Sequence, residues 1–190
     1  MTGFLRLSIS EKFRARRYRI DIRIFLELLS PAKNDVILDV GAGTGWIADR
    51  VASICDETYA LEPNESRLAF ITAKHPQVKA FSATSQTVPF SEGYFDKLYI
   101  IFAFHHFPDQ EDSLEEFRRI LKPGGLLLIQ EYFNTRTGLG SSIERKIMKS
   151  KVRFLDPPEL KNILALHGFK SEVVRNGSAG YFLLSRRDLQ

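Results

Sequence analysis

The order of apolar and amphipathic segments predicts an α/β fold, a doubly wound and mostly parallel sheet with helices on both faces. Three observations carry that expectation. Short runs rich in Val, Ile and Leu recur between segments of helical periodicity. A glycine-rich loop follows the first of those runs, and two strand-like segments near the C-terminal end are joined by a short Gly-Ser-Ala-Gly connection, too short for a parallel crossover.

Taken in order, residues 11–29 predict a helix, with Tyr18, Ile22, Phe25 and Leu29 at helical spacing and Pro31 ending the pattern. VILDV (36–40) is short, β-branched and apolar, as suits a strand buried on both faces. Residues 46–54 predict a helix after the glycines, and ETYALEP (57–63) a second strand. NESRLAFITAKH (64–75) predicts a helix with Asn64 as its cap, because a short polar side chain there can accept a first-turn N–H. VKAFSA (78–83) and FDKLYIIFA (95–103) predict the third and fourth strands, and EDSLEEFRRIL (111–121) a helix halted by KPGG. GLLLIQEY (125–132) predicts a strongly apolar fifth strand, and PPELKNILALHGF (157–169) a last helix. KSEVVRN and GYFLLSRR then predict an antiparallel hairpin at one edge, making seven strands with an antiparallel final one.

Composition bounds the function. With 190 residues, 44% hydrophobic and 26% charged, the chain suits one domain with a full core, residues 1–190. No internal repeat, low-complexity tract or interdomain linker interrupts it. The longest apolar run, LYIIFAF (98–104), is too short to span a bilayer, and Arg6, Glu11 and Lys12 break up any apolar secretory core. The single cysteine, Cys55, excludes a disulfide framework and a cysteine metal site, which fits a reducing cytoplasm. A net charge of +4 permits an anionic partner without requiring one.

In an open α/β sheet, ligands sit beyond the carboxyl ends of the strands, and the loop Gly41-Ala42-Gly43-Thr44-Gly45 follows the first strand. A dinucleotide fingerprint would place its third glycine where Trp46 stands. Glu62, seventeen residues past Gly45, can accept hydrogen bonds from a ribose diol. Asp39 separates the adenosine-type ligands that remain. A carboxylate beside the loop repels a pyrophosphate but suits an ammonium group, and S-adenosylmethionine carries an α-ammonium, a carboxylate and a sulfonium with no phosphate. The following helix can offer backbone N–H groups to the ligand carboxylate.

With these residues in place, the sequence resembles the class I S-adenosylmethionine-dependent methyltransferases, in the branch that includes quinone-biosynthesis C-methyltransferases and many small-molecule enzymes. VILDVGAGTG is similar to that family's first motif and ALEPN to its second. VPFSEGYFDKLYIIFAFHHF (88–107) resembles the region around strand four, and RILKPGGLLLI (119–129) the strand-five motif. The likeness covers roughly residues 35–133 and implies a Rossmann-like fold and S-adenosylmethionine as cofactor.

The resemblance implies roles residue by residue. Asp39, Gly41, Ala42, Gly43 and Gly45 would hold the methionine part, and Glu62 the ribose hydroxyls. Pro63 and Asn64 would line the adenine side. Ser82 and Ala83 stand where the family often has Asp and a small residue; a serine there hydrogen-bonds adenine less strongly than a carboxylate. Ile101 to Ala103 would pass close to the methionine moiety. Residues 1–30 would form an N-terminal helical cap, and NTRTGLGSSIERKIMKSKVRFLDP (134–157) a short, basic substrate-side insertion containing Ile143, Ile147 and Met148. Such a short cover suits an open pocket, or one completed by a partner subunit such as a second copy of the chain.

Methyl transfer from a sulfonium is an in-line displacement that needs chiefly positioning, which can recover roughly 7–11 kcal/mol of barrier. A general base is required only where the acceptor must lose a proton, and the candidates at strand carboxyl ends are His105, His106 and Tyr132. The adjacent histidines invite a metal reading, but no neighbouring cluster has ligand spacing, so no metal is expected. Phe102, Phe104 and Phe107 are either core or the lining of an apolar substrate pocket. The basic run KFRARRYR (12–19) is either a solvated helix face or a contact for an acidic substrate, a phospholipid surface or nucleic acid, with Tyr18 packing inward or gating the cofactor.

The default acceptor is a small molecule, with a protein lysine or RNA as alternatives allowed by the charge. Two other readings stay open. One is a nicotinamide-dependent oxidoreductase, opposed by Trp46 and Asp39. The other is a non-catalytic S-adenosylmethionine-binding partner subunit, suggested by Ser82.

Overall fold

The computed structural model describes residues 21–132, 153–176 and 180–189. The first ten residues of the predicted N-terminal helix, with the basic run and Tyr18, lie outside these, as do most of the 134–157 insertion and the connection 177–179.

The chain enters through helix α1 (Ile22–Leu29), which buries Ile22, Phe25 and Leu29 on one face. Asp21 caps it by accepting the Arg23 N–H at 3.0 Å, and Ser30, in the left-handed region at φ 44°, ends it ahead of Pro31. Then follow β1 (Val36–Val40), α2 (Trp46–Ala52), β2 (Glu57–Leu61), α3 (Glu65–Lys74), β3 (Lys79–Phe81) and β4 (Phe95–Ile101). A 3₁₀ turn at Phe104–His106 leads to α4 (Gln110–Ile120), β5 (Leu121–Tyr132), α5 (Pro157–Leu166), β6 (Phe169–Asn176) and β7 (Gly180–Arg187).

The seven strands form one sheet in the order β3-β2-β1-β4-β5-β7-β6. All neighbours pair in parallel except β7, which runs antiparallel to both β5 and β6, so the expected terminal hairpin closes one edge. From β1 the chain winds outward to β2 and β3, then crosses to β4 on the other side. The strand order therefore reverses between β1 and β4, and a crevice opens there at the carboxyl ends.

Side-chain alternation divides the core into two layers. Leu38, Val40, Leu98, Ile100, Leu127 and Ile129 face α4 and α5, where Leu114, Phe117, Leu160 and Leu164 are buried against them. Ile37, Tyr99, Leu126, Leu128 and Phe182 face α1 and α2, with the Phe25 ring edge-on to Tyr99 at 5.1 Å. Cys55 is a free, buried thiol that donates to the Asp35 carbonyl. Among the described residues no helix is long and apolar enough to cross a membrane.

Several predicted boundaries shift, each for a local reason. The KPGG segment was expected to separate helix from strand, yet β5 begins at Leu121, directly after α4, and carries Lys122-Pro123-Gly124-Gly125 within its first part. Leu121 pairs with Phe95 before the register shifts, and Gly125 threads a gap where a Cβ would stand 2.8 Å from the Lys122 carbonyl oxygen. β2 stops at Leu61 and β3 at Phe81, so Glu62, Pro63, Ser82 and Ala83 all lie in loops at the crevice. β4 stops at Ile101, because the next residue, Phe102, leaves the extended region for φ 51°.

Candidate functional site

The glycine loop is tied to the neighbouring strand end by backbone hydrogen bonds. The N–H groups of Gly41 and Ala42 both donate to the Leu61 carbonyl, at 2.9 and 3.0 Å. One residue on, Glu62 folds its carboxylate back under the loop, Oε2 accepting the Gly43 N–H at 2.7 Å and Oε1 the Asn64 N–H at 2.9 Å. Each oxygen keeps a lone pair, so the carboxylate is oriented without being used up. Asn64 also caps α3, as expected, by accepting the Arg67 N–H at 3.1 Å. Arg67 Nη1 lies 4.0 Å from Glu62 Oε1 at the rim.

The three glycines differ in what surrounds them, although all have positive φ. A Cβ on Gly41 would stand 2.8 Å from the Ala103 Cβ, and one on Gly45 would stand 2.8 Å from Ile71 Cγ1. A Cβ on Gly43 would meet nothing within 4 Å. Gly41 and Gly45 thus let the loop pack against β4's exit and α3, while Gly43 faces the open side.

Asp39, the penultimate residue of β1, is only 3% exposed. Burial pushes its carboxyl pKa up to about 8; the Tyr99 hydroxyl beside it in the strand register works against that rise, and the nearby Glu62 carboxylate adds to it. Burial thus favours the neutral form of this acid, and a cation placed beside it favours the ionised one. Ser82, exposed, and Ala83, partly buried, follow β3 next to the Glu62 backbone, whose N–H donates to the Phe81 carbonyl at 3.2 Å. Pro63 is exposed beside them. The β1–β2–β3 half of the crevice therefore gathers Asp39, the glycine loop, Glu62, Pro63, Ser82 and Ala83.

The other half is built on β4 and β5. Ile101 ends β4, and Phe102 follows with φ 51°, an outlier for a bulky aromatic residue. Its N–H donates to the Gln130 carbonyl at 2.9 Å, and its ring stacks on Tyr132 with centroids 4.1 Å apart and planes 18° apart. Phe104 is a core residue, and Phe107 packs against Phe104 and Phe117. Of the three phenylalanines considered for a pocket, only Phe102 stands at the crevice without belonging to the α4–α5 core layer.

His105 sits in the 3₁₀ turn with its Nδ1 2.6 Å from Glu131 Oε2, and its ring stacks on Phe154 at 4.5 Å. Both partners are buried. Burial raises the Glu131 pKa, and the hydrogen bond from His105 opposes that rise. His106 lies against the His105 ring at 4.1 Å but reaches solvent. Its pKa is held below the ordinary histidine range, by desolvation first and then by the closeness of His105 and Arg67. Tyr132 is half-buried at the end of β5 and stacks on Phe102.

The sequence reading did not single out Glu131. A signal was present: Gln130-Glu131 interrupts the most apolar strand of the chain, where a strand covered on both faces has no solvent to receive them. Among the described residues no group of three or more His, Cys, Asp or Glu side chains is arranged to hold a metal ion.

Comparison with known proteins places this geometry in context. Residues 38–129 match the family model described as a methyltransferase domain. The chain is 30% identical over 157 residues to the O-methyltransferase rstn1 of Aspergillus nomiae, covering 76% of this chain and 68% of that protein. It is 24% identical over 162 residues to a probable S-adenosylmethionine-dependent methyltransferase of Mycolicibacterium smegmatis, covering 85% and 61% of the two chains. The crystal structure of a SAM-dependent methyltransferase from Aquifex aeolicus superimposes with a TM-score of 0.76 at 19% identity, over 95% of this chain and 99% of that one, a likeness of fold. The chain spans about half to two thirds of the length of the curated relatives it matches first.

Proposed function

Because this chain belongs to the class I S-adenosylmethionine-dependent methyltransferase family, we propose that it transfers a methyl group from S-adenosylmethionine to a small-molecule acceptor by in-line displacement. One observation carries the reading: two buried carboxylates, Asp39 and Glu62, flank a glycine loop whose middle glycine faces open space. That donor set fits the cosubstrate. A buried acid with no cationic neighbour among the described residues suits an ammonium, and an oriented carboxylate with a free lone pair on each oxygen suits a ribose diol. The absence of a side chain at Gly43 leaves room for the ligand to lie against backbone.

S-adenosylmethionine supplies a methyl group already activated on a sulfonium, so the protein's work is positioning and exclusion of water. Asp39 and the loop Gly41-Ala42-Gly43, with Gly45 fixing it to α3, hold the methionine end. Glu62 holds the ribose, and Pro63, Ser82 and Ala83 border the adenine. Ile101 and Phe102 bring the exit of β4 against the reacting centre. Where the acceptor must lose a proton, His105 is the base: with Nδ1–H given to Glu131, the lone pair lies on Nε2. His106 and Tyr132 rank behind it, the first at the solvent rim and the second stacked on Phe102.

Titration calorimetry with S-adenosylmethionine, S-adenosylhomocysteine and NAD tests the reading, with Glu62→Ala as the control. Micromolar binding of the first two, weakened at least tenfold by the substitution, is the expected result. Binding of NAD alone would overturn it.

A further inference from the structure

Beyond the cosubstrate half of the crevice lies a side chain whose chemistry nothing among the described residues satisfies. On the sheet face toward α1 and α2, β5 presents Leu126 and Leu128 and then Gln130. The register sets Gln130 between Ile101 of β4 and Phe182 of β7, one row nearer the carboxyl ends than the row of Asp39, Tyr99 and Leu128. Gln130 is 0% exposed, and neither its Oε1 nor its Nε2 has a hydrogen-bond partner among the described residues. A leucine or methionine would pack among these neighbours without stranding a carboxamide, which makes the glutamine an expensive choice for structure alone.

Position says what the carboxamide is for. The groups suited to S-adenosylmethionine lie on β1, β2 and β3, whereas β5 is two strands from β1, about 10 Å at the usual strand spacing. Gln130 therefore lies away from that half, on the strand beside the strained Phe102, whose N–H its own carbonyl accepts.

Building on the methyltransferase reading above, we propose that Gln130 recognises the methyl acceptor. Its N–H₂ donates and its carbonyl accepts, so its complement is a group with an acceptor and a donor side by side: a lactam, a carboxamide, or a hydroxyl adjacent to a carbonyl. A site built to pair such a group discriminates sharply against analogues that lack it, since those leave the buried amide unpaired.

The test loads the protein with S-adenosylhomocysteine and follows 2-pyridone, salicylamide and anisole by ligand-observed NMR, in wild type, Gln130→Met and Gln130→Leu. The expected result is a preference of at least tenfold for the first two over anisole, lost in both variants. Both variants should bind S-adenosylhomocysteine as wild type does and melt no lower, because a stranded polar group has been removed. The proposal is overturned if wild type shows no preference or if the preference survives substitution. It is also overturned if the variants lose S-adenosylhomocysteine, which would assign Gln130 to the cosubstrate, or if both melt lower, which would mark a water-bridged structural amide. Failure of wild type to bind S-adenosylhomocysteine at all would instead bring down the methyltransferase reading, and this proposal with it.

Discussion

Glu131 Oε2 lies 2.6 Å from His105 Nδ1, joining the carboxyl end of β5 to the turn that follows β4. A buried imidazole given one fixed acceptor has one tautomer and one orientation. For an acceptor that must be deprotonated, His105→Ala should lower kcat by about 10²–10⁴-fold while leaving S-adenosylhomocysteine affinity within twofold. Steady-state kinetics beside calorimetry separates the two effects.

Glu131 acts through His105, so it is a positioning residue. Glu131→Gln should lower kcat with little change in KM for S-adenosylmethionine, because the amide no longer fixes which ring nitrogen of His105 carries the proton. A lower melting temperature with kcat unchanged would show a purely structural pair.

Asp39 couples folding and binding to pH in opposite senses. Its folded-state pKa, about 8, lies above the ordinary carboxylate value, so the folded protein binds this proton more tightly than the unfolded chain. The stabilisation is complete below about pH 4 and is lost as pH rises toward 8. Asp39→Asn should therefore melt higher than wild type at pH 8, with the gap closing toward pH 4, and a gain of about 1 kcal/mol corresponds to roughly 2–4 °C in a chain of this size. Ligand binding runs the other way: an ammonium favours the carboxylate, so wild-type affinity for S-adenosylhomocysteine should rise up to about pH 8, with proton release seen as a buffer-dependent enthalpy.

Gly41 and Gly43 should respond differently to the same change. Gly41→Ala combines positive φ with a 2.8 Å approach to Ala103 and should destabilise by about 2–4 kcal/mol. Gly43→Ala carries only the backbone cost, about 1–2 kcal/mol, but puts a methyl group on the open side. Thermal melts should rank Gly41→Ala as the less stable variant, while calorimetry should show Gly43→Ala losing at least tenfold in S-adenosylhomocysteine affinity.

Much of this architecture was legible in the sequence because it rests on local patterns. The buried parallel strand VILDV, the capping Asn64 and the short terminal hairpin each announce themselves within a few residues. The positions of Asp39, Glu62 and His105 followed from where strands end. What remained hidden depends on neighbours distant in the chain. The pairing of Leu121 with Phe95, which draws KPGG into β5, links residues from opposite sides of α4. The His105–Glu131 contact spans 26 residues, and nothing near either one names the other. Likewise, the three glycines look alike in sequence, and only Ala103 and Ile71, brought in by the fold, give them separate roles.

The left-handed backbone at Phe102 acts as a fixed end-stop. A strand that reaches such a residue does not continue in extended form, so the carboxyl end of β4 is fixed by the backbone of its own next residue. Deepening or shallowing the cleft by extending β4 would require replacing this aromatic residue first. Changes in the surrounding walls alter what the cleft contacts, but they do not move its floor.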